Sequence, residues 1–186
     1  MILNLLILFV SIILILYLMA NEHGDFEKQQ FKEHDFQVLN EEDKKGAAAL
    51  LHLLVKDVKV LIKHLKQNHG DKESVKLIIK RFNPKNISEG SPHNRDFTYT
   101  ENKGQRLVMC LREKETMKLH QKNLLLFPLL HELAHQGVAE YTGHGPEFIR
   151  VFKFLLTQAK EIGIYKHIDF ENSPKKYCSM TIDSHP

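Results

Sequence analysis

The chain has 186 residues, which is enough for one domain of ordinary size. Its 26 Lys and Arg residues nearly balance 23 Asp and Glu residues, and a formal net charge of +3 does not by itself indicate a nucleic-acid partner. Two cysteines, Cys110 and Cys178, exclude a disulfide-rich scaffold and a zinc knuckle. We expect them to be buried thiols rather than a bridge.

Residues 1–20 are almost entirely apolar and carry no charged side chain. About 20 helical residues rising about 1.5 Å each span the roughly 30 Å hydrocarbon core of a bilayer. A cleaved signal peptide is the alternative, but no Lys or Arg precedes the apolar run and Leu18-Met19-Ala20 is a poor cleavage site. The segment therefore predicts a transmembrane anchor and a single-pass membrane protein, and the polar residues 21–40 predict a juxtamembrane linker of low order.

Apolar residues at helical spacing predict a long amphipathic helix from about Glu41 to His69, with a shorter helix over 72–82 after it. A second face of the long helix carries lysines, for which a solvated surface is the favoured interpretation. Contact with nucleic acid or anionic lipid is the alternative. These lysines are Lys56, Lys59, Lys63 and Lys66.

Residues 83–94 contain two prolines and a glycine and predict a loop. Apolar and polar residues then alternate around Phe97 and Tyr99, a turn follows at 101–104, and alternation resumes over 107–111, which predicts a β-hairpin. A strand just upstream of a metal-binding helix can pair with an extended substrate. We assign that role to part of the segment 105–111.

The run His131-Glu132-Leu133-Ala134-His135 has the spacing H-E-x-x-H. It lies on a predicted helix that begins between Asn123 and Pro128, because proline is comfortable only in a first turn, and ends near Glu140. Residues four apart project from the same helix face, so both imidazoles can reach one cation. This pattern is typical of zinc-dependent hydrolysis of peptide bonds.

A catalytic zinc site usually has three protein ligands, so one more is needed. His144 is the best candidate because glycines flank it, and Glu140 or Glu147 is the alternative. In the expected mechanism zinc activates a water, and Glu132 accepts its proton as general base and later delivers it to the leaving amine. The donor for the developing oxyanion is left open among the tyrosines Tyr141, Tyr165 and Tyr177.

Pro146 is predicted to open a further helix that extends to about Ile162, with Phe148 on its inner face, and the tail 163–186 is predicted to be irregular. The stretch LLHELAHQGVAEYTGHGPEFIRVFKFLL resembles the metal-binding core of WLM-domain metallopeptidases and, more distantly, of SprT-like ones. RLVMCLRE and YKHIDFENSPKKYCSM are also similar to small WLM-like proteins with an apolar N-terminus, a form we associate with large DNA viruses.

This resemblance covers roughly residues 96–180 and implies zinc ligands at His131, His135 and His144, a catalytic Glu132, and Phe148 as a packing aromatic. The spacer between His135 and His144 is longer than is usual in WLM domains. Such families act on proteins crosslinked to DNA, a substrate that we do not carry over to an anchored protein.

We therefore expect an α+β fold with a zincin-like core over residues 41–186, behind an N-terminal transmembrane helix. The expected function is a membrane-anchored zinc metalloendopeptidase with a protein or peptide substrate. The alternative is a noncatalytic, zinc-stabilised interaction module tethered to a membrane. Binding of nucleic acid through the lysine face is a further and less favoured possibility.

Overall fold

The computed structural model describes residues 7–14, 26–93, 98–139 and 143–186. Beyond residue 25 these form an α+β arrangement of helices and small sheets. The helices are α1 (Lys44–His69), α2 (Glu73–Arg81), α3 (Lys122–Gly137) and α4 (Pro146–Glu161). The strands are β1 (Phe26–Phe31), β2 (His34–Leu39), β3 (Ile87–Gly90), β4 (Tyr99–Glu101), β5 (Arg106–Cys110), β6 (Lys175–Tyr177) and β7 (Met180–Ile182).

The predicted N-terminal transmembrane helix, and with it the single-pass membrane localisation, is corrected by the structure. In the described part of the chain, no helix combines the length and the apolar character needed to cross a membrane. Of the predicted anchor, residues 7–14 are described and are helical. The other residues of the segment 1–20 lie outside the described residues.

Residues 26–39, within the predicted linker, form an antiparallel hairpin of β1 and β2. The expectation of low order is therefore wrong from Phe26 onward. The segment is ordered because side chains alternate along β2: His34, Phe36 and Val38 point inward, and the residues between them are exposed. Phe36 and Val38 join the hydrophobic core beside α1, so this hairpin belongs to the folded domain.

The two helices that follow agree with the sequence pattern. α1 buries one apolar face and ends before Gly70, and Phe82 follows α2 in an extended conformation. The four lysines of the second face of α1 are exposed, as expected for a solvated surface. Residues that α1 buries in the core include Leu51, Leu54, Val58, Leu61 and Leu65.

The predicted hairpin is confirmed as β4 and β5, which pair antiparallel. The predicted loop 83–94 is partly wrong, because β3 forms within it and pairs in parallel with β5. The strand order β3-β5-β4 puts β5 in the centre and β4 at an edge. The polar Glu89 is accommodated in buried β3 by Arg112, whose Nε donates to it over 2.7 Å, and by the Leu39 amide over 2.8 Å.

The metal-motif helix α3 begins at Lys122, so Pro128 lies inside it and not in its first turn. A proline there lacks the amide that would bond four residues back, yet the apolar contacts of this buried helix hold it in place. Many residues of α3 are buried, and α4 packs against it through Phe148 and Phe152, whose rings contact His131. This packing fixes α3 between the sheet side and α4.

The C-terminal tail is more ordered than predicted, because β6 and β7 form a short antiparallel hairpin. Cys178, in the turn of this hairpin, forms a disulfide with Cys110 of β5, so the expectation of two free thiols is wrong. The two cysteines are 68 residues apart, and sequence alone gave no indication of their proximity. The bridge holds the tail against the central sheet beside α3.

Candidate metal centre

His131 and His135 lie one turn apart on α3, and their Nε2 atoms are 3.2 Å from each other. The helical arrangement follows from the apolar residues around them, since Leu129, Leu130 and Leu133 are buried on the other faces of α3. Both histidines are only half-buried, and they face the open side of the helix. The H-E-x-x-H spacing therefore has the geometric effect expected from its helical period.

His144 reaches the same point from the turn before α4. Its Nε2 lies 3.0 Å from Nε2 of His131. Gly143 has a φ of 60°, a left-handed conformation that favours glycine, and Pro146 begins α4 three residues later. The spacer residues 140–142 are not described, but the turn that follows them directs the third imidazole back to α3.

The three imidazoles form a group that can hold a metal ion, because their ligand nitrogens lie within 4.8 Å of one another. Tetrahedral ligands about 2.05 Å from zinc lie about 3.3 Å apart, close to the two short nitrogen distances here. Burial and the neighbouring imidazoles lower the pKa of His131 to about 3, and burial and His144 lower that of His135 to about 4. Both rings are therefore neutral at pH 7, the form that binds metals.

Phe148 packs against all three histidines. Its ring centroid is 4.8 Å from that of His131, 4.4 Å from that of His135 and 4.8 Å from that of His144. The Phe148 side chain is 1% exposed. It therefore acts as a packing aromatic that orients the rings, as the resemblance implies.

Glu132 follows His131 on α3 and is 6% exposed. Burial raises the pKa of its carboxyl to about 7, and a hydrogen bond with the Thr100 backbone opposes that rise in part. Glu132 and His131 both line two cavities that meet at the histidine cluster. A carboxyl group with this pKa can exchange a proton near neutral pH, beside the point where the imidazoles converge.

Of the alternative third ligands, the structure describes only Glu147, which is not a member of the histidine group. Glu147 is exposed and lines a separate cavity with Lys72 and Arg150. Glu140 lies outside the described residues. Among the tyrosines considered as oxyanion donors, Tyr177 lines the same cavity as His131, whereas Tyr165 lines neither cavity of the site. Tyr141 lies outside the described residues.

Tyr177 is buried beneath the site, with its hydroxyl 2.6 Å from the Thr98 hydroxyl. Burial raises its pKa, and the Glu132 carboxyl beside it contributes in the same direction. The phenol therefore keeps its proton at neutral pH and can serve as a hydrogen-bond donor. Of the three candidate tyrosines, it is the one that the described structure places at the cluster.

The first of the two cavities is apolar and has a volume of about 450 Å³. Aromatic side chains from α3 and α4 form one wall, and the C-terminal residues 180–186 form another. The tail is held there by His185, whose ring contacts Phe127 and whose Nε2 lies 2.7 Å from the Ile168 carbonyl oxygen. Sequence reasoning missed this wall, because a short polar tail carries no local signal of where it packs.

The second cavity is more polar and has a volume of about 660 Å³. Residues of β4 and the following turn border it opposite the histidines, including Tyr99, Thr100 and Asn102. Because β5 is paired on both sides, the assignment of a substrate-pairing edge to segment 105–111 is wrong. The edge strand of this sheet beside the cluster is β4, and the alternation around Tyr99 was the sequence signal for it.

Two contacts fix the end of α3. The Arg81 guanidinium of α2 donates to the carbonyl oxygens of Gln136 and Val138, over 2.8 and 2.6 Å, where the helix leaves its last carbonyls without partners. Gly137 lets α3 approach its neighbours, since a Cβ there would lie 2.9 Å from Val151 Cγ1. These contacts hold the end of the helix that carries His135.

The fold and site define an α+β protein with a three-histidine centre that can bind a metal and a buried glutamate beside it. The chain is 32% identical over 183 residues to "Uncharacterized protein R325" of Acanthamoeba polyphaga mimivirus, covering 96% of this chain and 92% of that protein. It belongs to the same family as that viral protein.

"Uncharacterized protein 136R" of Invertebrate iridescent virus 6 is 30% identical over 115 residues, covering 59% of this chain and 61% of that protein. No family model matches the chain, and no solved structure matches it.

Proposed function

We propose that this protein is a zinc-dependent metallopeptidase. The observation that carries the proposal is the convergence of His131, His135 and His144 beside the buried Glu132, at the junction of two cavities. Nε2 of His131 lies 3.2 Å from Nε2 of His135 and 3.0 Å from Nε2 of His144. This donor set fits zinc, which favours imidazole nitrogen and four-coordinate sites.

Zinc bound by these three histidines would leave one coordination position for water or substrate and would act as a Lewis acid toward the scissile carbonyl. The chain itself supplies the acid-base chemistry. Glu132 is placed to accept a proton from the attacking water and to pass it to the leaving amine nitrogen. Because Glu132 is buried, bulk water is excluded from its carboxyl group, and the proton passes between Glu132 and the reacting groups rather than to solvent.

The polar cavity suits an extended peptide. β4 pairs with β5 through one edge, and its residues Tyr99 and Thr100 border the cavity opposite His135. A substrate strand laid along β4 would gain main-chain hydrogen bonds that do not depend on its sequence. This places the peptide backbone across the histidine cluster, and Tyr177 is the donor that we propose for the developing oxyanion.

The apolar cavity supports a preference for a large apolar side chain next to the cleaved bond. Phe127, Phe152 and Ile182 line it, together with the half-exposed Met180. Burying a leucine or phenylalanine side chain there contributes roughly 1.5–3 kcal/mol. We therefore expect cleavage beside leucine, phenylalanine or methionine rather than beside charged residues.

The test compares the full chain, loaded with zinc, with its Glu132→Gln variant on a diverse peptide library. Glu147→Gln is the matched control, because Glu147 is exposed and lines a different cavity. We expect cleavage by the unmodified chain and the control, and none by Glu132→Gln with its zinc retained. A zinc-loaded chain that cleaves no peptide would contradict the proposal and favour the noncatalytic, zinc-stabilised interaction module instead.

A further inference from the structure

A second group of candidate ligands lies where the β1–β2 turn meets α1. Glu33 is in the turn, His34 begins β2, and His52 is on the facing side of α1. Their ligand atoms lie within 4.8 Å of one another. None of the three lines the two cavities around His131.

Both imidazoles of this group have an unsatisfied nitrogen. His34 is 9% exposed and His52 is 8% exposed. Nδ1 of each is buried and has no hydrogen-bond partner among the described residues. The Glu33 carboxylate oxygen lies 3.5 Å from Nδ1 of His34, too far for a good hydrogen bond. Buried polar atoms normally have partners, so these two nitrogens point to a missing ligand.

We propose that Glu33, His34 and His52 form a second metal site, for a divalent transition-metal ion of the zinc class. Two imidazole nitrogens and one carboxylate oxygen are a donor set for such ions. The Glu33 side chain is 66% exposed, so it can rotate toward the two fixed histidines. Aromatic packing holds those histidines, because Phe36 stacks on His34 and Phe31 contacts His52.

The lysines around this site shape what it binds. They border a cavity of about 420 Å³ that also contains the three ligands, and they are Lys32, Lys56, Lys59 and Lys63. The positive charges of these lysines disfavour the binding of a metal cation, and the negative charge of the Glu33 carboxylate offsets one of them. The site with its metal therefore presents an open coordination position to a basic cavity, which favours an anion as the remaining ligand.

The consequence for the fold is a metal link between the N-terminal hairpin and α1. β2 packs on α1 through Phe36 and Val38, while the turn residues Lys32 and Glu33 lie at the outer end of the hairpin. A metal bound by Glu33, His34 and His52 joins that end to the helix. It stabilises the folded chain by binding the native state alone.

The test is metal content of the full chain after zinc loading and desalting, measured by mass spectrometry. We expect two zinc ions per unmodified chain, one in His131→Asn/His135→Asn, and none when His52→Asn is added to that pair. Glu33→Gln alone, a mild change in an exposed turn, should leave one ion and shift the cobalt absorption spectrum. Glu171→Gln, also exposed, is the matched control and should keep both.

One zinc ion per unmodified chain, lost entirely in His131→Asn/His135→Asn, would overturn the proposal. So would an ion retained in that pair after His52→Asn is added. Inorganic phosphate is the second probe: if it binds the metal-free chain and Lys59→Ala abolishes that binding, while zinc content stays at one, the cavity is a simple anion site. Because these measurements count metal and not cleavage, their outcome is independent of the proposed peptidase activity.

Discussion

Nε2 of His144 lies 3.0 Å from Nε2 of His131, although 13 residues separate the two histidines in the chain. This contact makes the pair on α3 into a three-nitrogen cluster. It depends on the left-handed turn at Gly143 and on Phe148, which packs against both rings. The position of His144 is therefore the feature on which a three-ligand metal site depends.

His144→Asn should weaken zinc binding by more than about 100-fold, because loss of even an outer-shell partner of a ligand costs 10- to 100-fold. Peptide cleavage should be lost with it. Competition with a chromophoric chelator measures the affinity. Glu147→Gln provides the comparison, and equal losses in both variants would contradict the assignment of His144.

The stability of the metal-free chain should depend on pH through the same cluster. The pKa of His131 is lowered to about 3 and that of His135 to about 4, from an ordinary value of 6.5. Below pH 6.5 the unfolded chain binds more protons at these two histidines than the folded chain does, so the pair lowers the free energy of unfolding as the pH falls toward 4. The Glu132 carboxyl, whose pKa is raised from 4.5 to about 7, acts in the opposite direction between those two values. We expect the two histidines together to outweigh this single carboxyl. Urea denaturation at pH 7 and pH 5 measures this difference.

His131→Asn should flatten that dependence, since it removes the group with the largest shift. His93→Asn should leave it unchanged, because His93 is exposed and far from the cluster in sequence. Glu132→Gln removes the opposing carboxyl, so a stability that is the same at both pH values in that variant would show that the buried imidazoles do not govern it.

Replacing Glu89 by alanine should destabilise the fold by up to about 3–5 kcal/mol, because the buried Arg112 guanidinium loses its one buried carboxylate partner and keeps only its pair with the half-exposed Asp43, at 2.6 Å. The comparison is Glu73→Ala, which breaks an exposed pair with Lys76 at 3.7 Å and should cost less than about 1 kcal/mol. Urea denaturation measures the loss of unfolding free energy in each variant. Similar values for the two would mean that burial of the Glu89 pair has no energetic effect.

Two glycine-to-alanine changes should act in opposite directions. A Cβ at Gly137 would lie 2.9 Å from Val151 Cγ1 and 3.1 Å from Ile78 Cδ1, so Gly137→Ala should cost about 1–3 kcal/mol and disturb the histidine helix. A Cβ at Gly46 meets only Leu119 Cδ1, at 3.4 Å. Gly46→Ala in α1 should therefore stabilise by about 0.4–1 kcal/mol. Thermal denaturation of both variants measures whether Tm falls, as expected for Gly137→Ala, or rises, as expected for Gly46→Ala.

Met180→Glu should change substrate preference without removing zinc. Met180 is 47% exposed on the tail wall of the apolar cavity, so the new carboxylate can be solvated and folding should be unaffected. We expect kcat/KM for peptides with a large apolar side chain at the cleaved bond to fall by about 10- to 200-fold. For peptides with a basic residue at that position, kcat/KM should fall less. An unchanged preference would mean that the tail does not contact the substrate.

Local periodicity was informative where one element by itself determines the arrangement. The spacing of His131 and His135 put two imidazoles on one helix face, and the apolar faces of α1 and α4 followed from helical period. The hairpin of β4 and β5 was visible in the alternation around its turn. In each case the signal is contained in fewer than about 30 neighbouring residues.

One error concerns the apolar run of 20 residues, which predicted a membrane-spanning helix that the described structure does not contain.

The other errors occurred where residues that are close in space are distant in the chain. β3 was missed because two prolines, a glycine and small polar residues make the segment 83–94 look like a loop. The burial of Glu89 within it depends on Arg112, 23 residues away, and on the Leu39 amide, 50 residues away. The disulfide between Cys110 and Cys178 spans 68 residues.

The helix that carries His131, Glu132 and His135 could be predicted from local sequence, because helical geometry relates residues four apart. Three features could be established only from the fold: His144 joins the cluster, β4 and not β5 is the edge beside it, and the tail forms a cavity wall. These arrangements depend on long-range packing and pairing energies, which leave no periodic trace in the residues concerned.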